Sequence, residues 1–233
     1  LLLDLETTGV DATQDRIVEL SAVQALPTGP GACFSTVVQV DAEIVSSPGA
    51  RKAAEVHGIL ANEILASPCF SECWFRFLAF VCSLLNGLVE DRGESSDEEP
   101  PTLSRPPDEW PTLLLAAHNG FAFDFAVLLC ECYRHGLNLA VFERWVYVDT
   151  LHVVRSVALE AAPCFKLQCM TARVCDPADL KAHRGRDDCV ALLGVLQHLA
   201  ARLGLTVEGL MRMFAEEIDL LNSTAQVFTL VCA

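Results

Sequence analysis

The stretch Asp4-Leu5-Glu6-Thr7-Thr8-Gly9 follows directly on the apolar run Leu1-Leu2-Leu3 and is the most informative part of this chain. Side chains two positions apart on a β-strand point to the same face, so we expect Asp4 and Glu6 to lie side by side at a strand end. Adjacent carboxylates repel each other, and their usual counter-charge is a divalent cation with oxygen ligands. The alternative is a strand that runs into a turn, with two solvated acids at its rim.

The composition is that of a globular chain. With 233 residues, of which 52% are hydrophobic, it can form one large domain or two small ones around a buried core. No apolar stretch reaches the roughly 18 residues of a membrane span, and no signal peptide is visible. Because the first residue is not Met and already belongs to a predicted strand, we expect the chain to be part of a longer protein.

The net charge of −15 argues against a protein that coats DNA, because the phosphate backbone favours Lys and Arg. Part of this charge lies in the acidic run at 90–99, and carboxylates that hold metal ions would neutralise a further share. The charge is compatible with an enzyme that grips only a strand end.

The 11 cysteines predict reduced, buried thiols in an intracellular protein. Their number is odd, their spacing is irregular, and most lie in apolar periodic segments, as Cys130, Cys169 and Cys189 do. The spacing also lacks the paired pattern of a structural zinc site.

Hydrophobic periodicity predicts a mixed sheet with helices on both faces. The predicted strands are the opening run, 16–25, 33–40, 113–117 and 145–148, and the predicted helices are 62–65, 70–88, 121–135, 151–159, 165–174, 187–203 and 207–221. The acidic, proline-rich segment at about 90–112 is typical of a surface insertion. We therefore predict a single domain over 1–233 that carries this insertion.

A second polar group follows the buried strand 113–117, where ligands bind in open α/β sheets. It contains Asn119 and, in the first turn of the next helix, Asp124. The alternative role of Asp124 is to complement the positive N-terminus of that helix.

A third group contains His183 and Asp188, at the start of another helix. Asp188 shares a helical face with Leu192 and Val195, so we expect its side chain to point toward the core. A buried carboxylate needs a partner, and the simplest is a cation shared with Asp4 and Glu6. His183 could join the same site from a loop before the helix, although a surface position is its ordinary alternative.

This ordered set resembles the DEDDh exonucleases, a branch of the ribonuclease H-like superfamily. The family pattern is Asp-x-Glu-Thr-x-Gly, then Asn-x-x-x-x-Asp, then His-x-x-x-x-Asp, and the matching residues are Asp4, Glu6, Thr7, Gly9, Asn119, Asp124, His183 and Asp188. The sequence around Asn119 is similar to that of the three-prime repair exonucleases. The segment Val56-His57-Gly58-Ile59 is similar to the proofreading epsilon subunit of bacterial DNA polymerase III. The acidic insertion and the negative charge depart from the family.

The resemblance implies a ribonuclease H-like α/β fold, in which an antiparallel three-strand meander is joined to parallel strands. It also implies 3′-5′ hydrolysis of terminal phosphodiesters by two divalent ions, with release of nucleoside 5′-monophosphates. By resemblance, Asp4, Glu6, Asp124 and Asp188 would hold Mg²⁺ or Mn²⁺, and His183 would be the general base. The implied substrate contacts are the backbone around Thr7 and Thr8, Ile59 near the last base, and Asn119.

The substrate stays open between two nucleic acids. DNA with single-stranded or frayed 3′ ends is favoured, as in repair or proofreading, and RNA or oligoribonucleotides are the alternative with the same chemistry. A different class is a non-catalytic binding or scaffold module that kept the fold and binds a protein partner through the acidic insertion. No membrane partner is expected. Oligomeric state and attachment to a polymerase are open.

Overall fold

The computed structural model describes residues 1–90, 113–157, 164–174 and 184–217. Its strands are β1 (Leu2–Thr7), β2 (Ile17–Leu26), β3 (Gly29–Val37), β4 (Leu113–Ala117), β5 (Trp145–Asp149) and the short β6 (Glu216–Glu217). They form a six-stranded sheet in the order β3-β2-β1-β4-β5-β6. β1, β2 and β3 pair antiparallel, β4 runs parallel to both β1 and β5, and β6 is antiparallel to β5. The predicted mixed sheet is confirmed.

Helices cover both faces of this sheet, as predicted. They are α1 (Ala42–Val45), α2 (Pro48–His57), α3 (Ala61–Leu65), α4 (Phe70–Glu90), α5 (Asp124–Arg134), α6 (Thr150–Val157), α7 (Leu167–Val174), α8 (Gly185–Leu203) and α9 (Val207–Arg212), with a 3₁₀ helix at Leu139–Arg144. Among the residues that the structure describes, no helix is long and apolar enough to cross a membrane.

The alternation of side chains along β1 divides the core between the two faces of the sheet. Leu3 and Leu5 belong to a buried cluster that contains Phe70, Trp74 and Phe77 of α4. Leu2 belongs to a second cluster, formed largely with α7, α8 and α9. Because strand side chains alternate, Asp4 and Glu6 share the face of Leu2. The acidic pair therefore lies on the side of the sheet that α8 covers.

The boundaries of β3 and α9 differ most from the sequence prediction. β3 begins at Gly29, four residues before the predicted start at 33, and so includes Pro30. A proline without an N–H is tolerated here because β3 is an edge strand. The helix predicted at 207–221 ends at Arg212, because the chain then turns so that Glu216 and Glu217 pair with β5. Residues 218–221 lie outside the described part of the chain.

The prediction of reduced, buried thiols is wrong for one pair of cysteines. Cys164 and Cys169 form a disulfide, with 6.0 Å between their Cα atoms, a separation in the normal range for such a bridge. Among the cysteines that the structure describes, Cys33 and Cys69 are exposed, and Cys73, Cys130, Cys132 and Cys189 are buried thiols. Periodicity in the sequence indicated the buried positions and could not show which pair meets at the start of α7.

The predicted insertion at 90–112 lies outside the described residues except for Glu90, the last residue of α4. The single-domain organisation over 1–233 therefore stays a prediction.

The buried carboxylate of Glu131 ties the segment after β1 to α5. Arg16 Nε donates to Glu131 Oε1 at 2.9 Å, and Arg134 Nη1 donates to Oε2 at 2.6 Å. His135 Nε2 lies 3.1 Å from Oε1. Arg134 Nη2 also donates to the Thr13 carbonyl at 2.8 Å. Two guanidinium groups thus compensate one buried charge and hold the 8–16 segment against the helix.

We expect Glu131→Gln to lower the free energy of unfolding by about 2 kcal/mol, because the amide accepts fewer of these donors and the arginines lose their counter-charge. Urea unfolding measures this change. The control is Glu72→Gln, which breaks the exposed ion pair between Glu72 and Arg76 on α4, and we expect it to cost less than about 0.5 kcal/mol. Equal losses in the two variants would contradict the importance of burial at Glu131.

Candidate active site

Three carboxylates from two elements meet at one end of β1. Asp4 and Glu6 lie on β1, and Asp188 lies in the first turn of α8. One carboxylate oxygen from each lies within 4.8 Å of the others. Asp188 is buried, as its position on the predicted helical face suggested.

The first residue of α8 allows this meeting because it has no side chain. A Cβ atom added at Gly185 would lie 2.8 Å from the Cβ atom of Ser21 and 3.3 Å from the carbonyl oxygen of Asp4. The start of α8 therefore rests directly on β1 and β2. A larger residue would push the helix, and Asp188 with it, away from the sheet.

Asp124 brings a fourth carboxylate from α5. It is the first residue of that helix and is buried. Its Oδ1 accepts a hydrogen bond from the backbone N–H of Leu5 at 3.2 Å. Since Leu5 lies between Asp4 and Glu6, this bond holds the carboxylate of Asp124 against the acidic part of β1.

Burial and mutual repulsion make these acids reluctant to ionise together. Burial, followed by the negative charges of Asp124, Asp188 and Glu6, raises the pKa of Asp4 well above its ordinary value. Burial, together with Asp188 and Glu19, raises the pKa of Glu6 to about 8. Burial raises the pKa of Asp124 to about 7, although its hydrogen bond from Leu5 acts in the opposite direction. Full ionisation near neutral pH therefore requires added positive charge.

The donor set fits a hard divalent cation. Asp4, Glu6 and Asp188 offer carboxylate oxygens only, the ligands that Mg²⁺ and Mn²⁺ prefer. A cation at this place would also relieve the repulsion that raises the pKa of the acids.

Comparison with known proteins shows that the chain is similar to nucleases. No family model matches the chain. Over 217 residues, the chain is 27% identical to Exonuclease DPD1, chloroplastic/mitochondrial, of Arabidopsis thaliana. The match covers 90% of this chain and 58% of that protein, so the chain spans less than two thirds of the relative's length.

Solved structures define the fold. The nuclease domain of 3′hExo, a DEDDh family member bound to rAMP, superposes with a TM-score of 0.63 at 12% identity, over 86% of this chain and 90% of that one. The fold is that of the DEDDh exonucleases. Exonuclease X, solved in complex with 5′ overhanging duplex DNA, superposes with a TM-score of 0.53 at 18% identity, over 91% of this chain and 98% of that one. The resemblance read from the sequence motifs is confirmed.

In this DEDDh fold the loop after β4 is anchored by Asp149, at the end of the neighbouring strand β5. The buried carboxylate of Asp149 accepts hydrogen bonds from the backbone N–H groups of Asn119 and Leu151, each at 2.9 Å. Asn119 has a φ of 65°, a left-handed conformation that asparagine adopts more readily than most residues. Asn119 is exposed.

Asp149 is not among the site residues that the sequence predicted. The signal that could have found it is an acid at the carboxyl end of a buried strand, next to a strand already expected to end at the site.

Thr7 and Thr8 shape the loop after β1. The backbone N–H of Thr8 donates to the Arg16 carbonyl at 2.9 Å, and its hydroxyl donates to Asp15 Oδ1 at 2.8 Å. The hydroxyl of Thr7 donates to the carbonyl of Gly9 at 2.5 Å. The backbone N–H and the hydroxyl of Thr8 therefore already have hydrogen-bond partners within the protein. That the other backbone groups around Thr7 and Thr8 contact a 3′-hydroxyl stays a prediction.

The structure buries the side chain of Ile59, so its contact with the last base stays a prediction. Ile59 is 1% exposed and packs in a small cluster with Val18 and Ile64. The reason lies in Gly58, which ends α2 in a left-handed conformation with a φ of 70° and turns the following side chain inward. The next residue, Leu60, is 64% exposed.

His183 lies outside the described residues. Its role as a general base stays a prediction, and Arg184 is the first described residue after it.

Proposed function

We propose that this chain is a 3′-5′ exonuclease that hydrolyses the 3′-terminal phosphodiester of DNA, at single-stranded or frayed ends, and releases nucleoside 5′-monophosphates. The observation that carries the proposal is the meeting of Asp4, Glu6 and Asp188 within 4.8 Å, with Asp124 held against the same strand. The names of the relatives support it, since one is an exonuclease and another was solved with DNA.

In the proposed reaction the four acids would hold the cations. Two divalent cations, Mg²⁺ or Mn²⁺, would supply activation of water and stabilisation of the charge on the leaving oxygen. Asp4, Glu6 and Asp188 would hold them, and Asp124 would contribute from α5. Asp124 and Asp188 are buried and Asp4 and Glu6 are partly buried, which limits the motion of their oxygens before substrate arrives.

The remaining predicted residues would act on substrate and water. His183 would accept the proton of the attacking water, because an ordinary histidine pKa of about 6.5 suits proton transfer near neutral pH. Asn119 is exposed at the end of β4 and would contact the terminal nucleotide. The exposed side chain of Leu60 would offer an apolar contact in place of the buried Ile59.

RNA is the second candidate substrate, because the similar nuclease domain of 3′hExo was solved with rAMP. A protein partner on the acidic segment and a place inside the cell belong to the proposal as well, and the relative's name puts that protein in chloroplasts and mitochondria.

The test is digestion of matched DNA and RNA oligonucleotides that share one sequence and carry a 3′-terminal label. With Mg²⁺, we expect labelled mononucleotide to appear first, with DNA cut faster than RNA, and we expect EDTA to abolish release. Faster release from RNA would select the second candidate. Full activity in EDTA would contradict the metal-dependent mechanism, and cation binding without turnover on either nucleic acid would indicate a binding module.

A further inference from the structure

Glu19 is a further buried acid next to the site that the predicted set does not include. In the antiparallel pair of β1 and β2 it lies directly opposite Glu6. Residues opposite each other on paired strands share one face of the sheet. Glu19 therefore places a negative charge beside acids that already repel one another.

We propose that Glu19 is a positioning residue which, together with Arg184, fixes the start of α8 so that Asp188 meets Asp4 and Glu6. This inference rests on the proposed function, in which these three acids hold the cations.

The contacts of Glu19 join β2 to the first residues of α8. Arg184 Nη2 donates to Glu19 Oε1 at 3.0 Å, and the backbone N–H of Gly185 donates to Oε2 at 3.0 Å. Ser35 Oγ on β3 donates to Oε1 at 3.3 Å. One carboxylate thus accepts hydrogen bonds from a guanidinium group, a backbone amide at a helix N-terminus and a hydroxyl. The Gly185 amide is one of the groups that a helix leaves without an internal partner.

The same contacts set the position of Asp188. Its backbone N–H donates to the Arg184 carbonyl at 3.0 Å. Asp188 therefore lies in the first hydrogen-bonded turn of α8, directly after the residue that Glu19 anchors. Gly185 is pressed against Ser21 and the Asp4 carbonyl, so the helix start has little room to shift toward the sheet. Glu19 holds it from shifting away. Loss of the anchor would therefore move Asp188 relative to Asp4.

A purely electrostatic role for the pair makes different predictions. If Arg184 only neutralised charge, its removal would leave the site more negative and strengthen cation binding. If the pair positions Asp188, the same removal weakens cation binding in spite of the more negative charge. Arg184→Met therefore separates the two roles by the sign of its effect.

The experiment measures the dissociation constant of Mn²⁺ by calorimetry for Glu19→Gln, Arg184→Met and the double variant. We expect binding to weaken roughly tenfold in all three, the usual scale for residues that support metal ligands. Electrostatics alone predicts weaker binding for Glu19→Gln, tighter binding for Arg184→Met, and near wild-type binding for the double variant, whose net charge is unchanged. Wild-type or tighter binding in Arg184→Met, or restored binding in the double variant, would overturn the proposal.

Arg186→Met is the matched control. Arg186 lies in the same turn of α8, is exposed, and pairs with Asp187. The variant changes the charge as Arg184→Met does, and we expect it to bind Mn²⁺ at least as tightly as the wild type. The Arg184 side chain is 46% exposed, so its loss should leave the fold intact, and circular dichroism checks this for each variant.

A second readout comes from hydrolysis. In Arg184→Met we expect kcat to fall and the Mg²⁺ concentration for half-maximal rate to rise, with KM for the oligonucleotide within about a factor of two. If the wild type binds Mn²⁺ and hydrolyses no nucleic acid, the proposed function fails while the Mn²⁺ affinities still decide the role of Glu19. If the wild type hydrolyses and Arg184→Met keeps its cation affinity, only the role of Glu19 fails.

Discussion

Replacing Asp188 with asparagine is expected to lower the rate of 3′-terminal hydrolysis by about a thousandfold or more. The change keeps the size of the side chain and removes one of three carboxylates that meet within 4.8 Å. An amide oxygen is a weaker cation ligand than a carboxylate and carries no charge to balance the ion. The measurement is the single-turnover rate on a labelled oligonucleotide at saturating Mg²⁺.

The adjacent residue provides the control for this substitution. Asp187→Asn makes the same chemical change one position earlier, on a side chain that is 36% exposed and pairs with Arg186. We expect its rate to stay within about a factor of three of the wild type, because surface charges contribute little. Undiminished hydrolysis by Asp188→Asn would contradict the site. Equal losses in both variants would indicate a general effect of charge at the start of α8.

In the absence of divalent cations, the protein is expected to lose stability as the pH rises from about 4 to about 8. The pKa of Glu6 is about 8 and that of Asp124 about 7 in the folded protein, above the ordinary values of 4.5 and 3.8. Between these limits the folded state binds more protons than the unfolded state. Stability is therefore greatest below the ordinary values and is lost as the pH passes through the folded values.

We expect a loss on the order of 3 kcal/mol, measured by urea unfolding in EDTA at several pH values. The histidines His57 and His118 act in the opposite direction, because burial lowers their pKa. The control is Glu6→Gln, which keeps this background and removes the titration of Glu6, so its stability should fall less over the same range. A wild-type protein that becomes more stable than Glu6→Gln as the pH rises would contradict the assignment.

Added Mn²⁺ should reverse this loss. A cation that binds only the folded state stabilises it by mass action and keeps the acids ionised. We therefore expect a larger gain in stability from Mn²⁺ at pH 8 than at pH 5. The gain should be much smaller in Asp188→Asn, which lacks one of the ligands. Equal gains in that variant and the wild type would place the cation elsewhere.

Much of this architecture follows from local patterns. The apolar run 113–117 predicted β4 with its observed bounds, because a short buried strand between polar segments leaves a clear signal. Asp188 shares a helical face with Leu192 and Val195, and this spacing predicted its burial. The predicted end of the helix at 207–221 was wrong, because the helix stops at Arg212 and residues 216 and 217 pair with β5, a strand about 70 positions earlier. Periodicity within a segment carries no information about such distant partners.

The sequence by itself determined the order of the acids, the strand that carries Asp4 and Glu6, and the helix starts that carry Asp124 and Asp188. These features depend on residue type and on spacing of a few positions. Only the tertiary structure decided that Glu19 anchors Arg184, 165 positions away, and that Asp149 holds the loop at Asn119. It also decided that Ile59 is buried. The physical reason is that burial and hydrogen-bond partners depend on which surfaces pack together, and packing joins residues that are far apart along the chain.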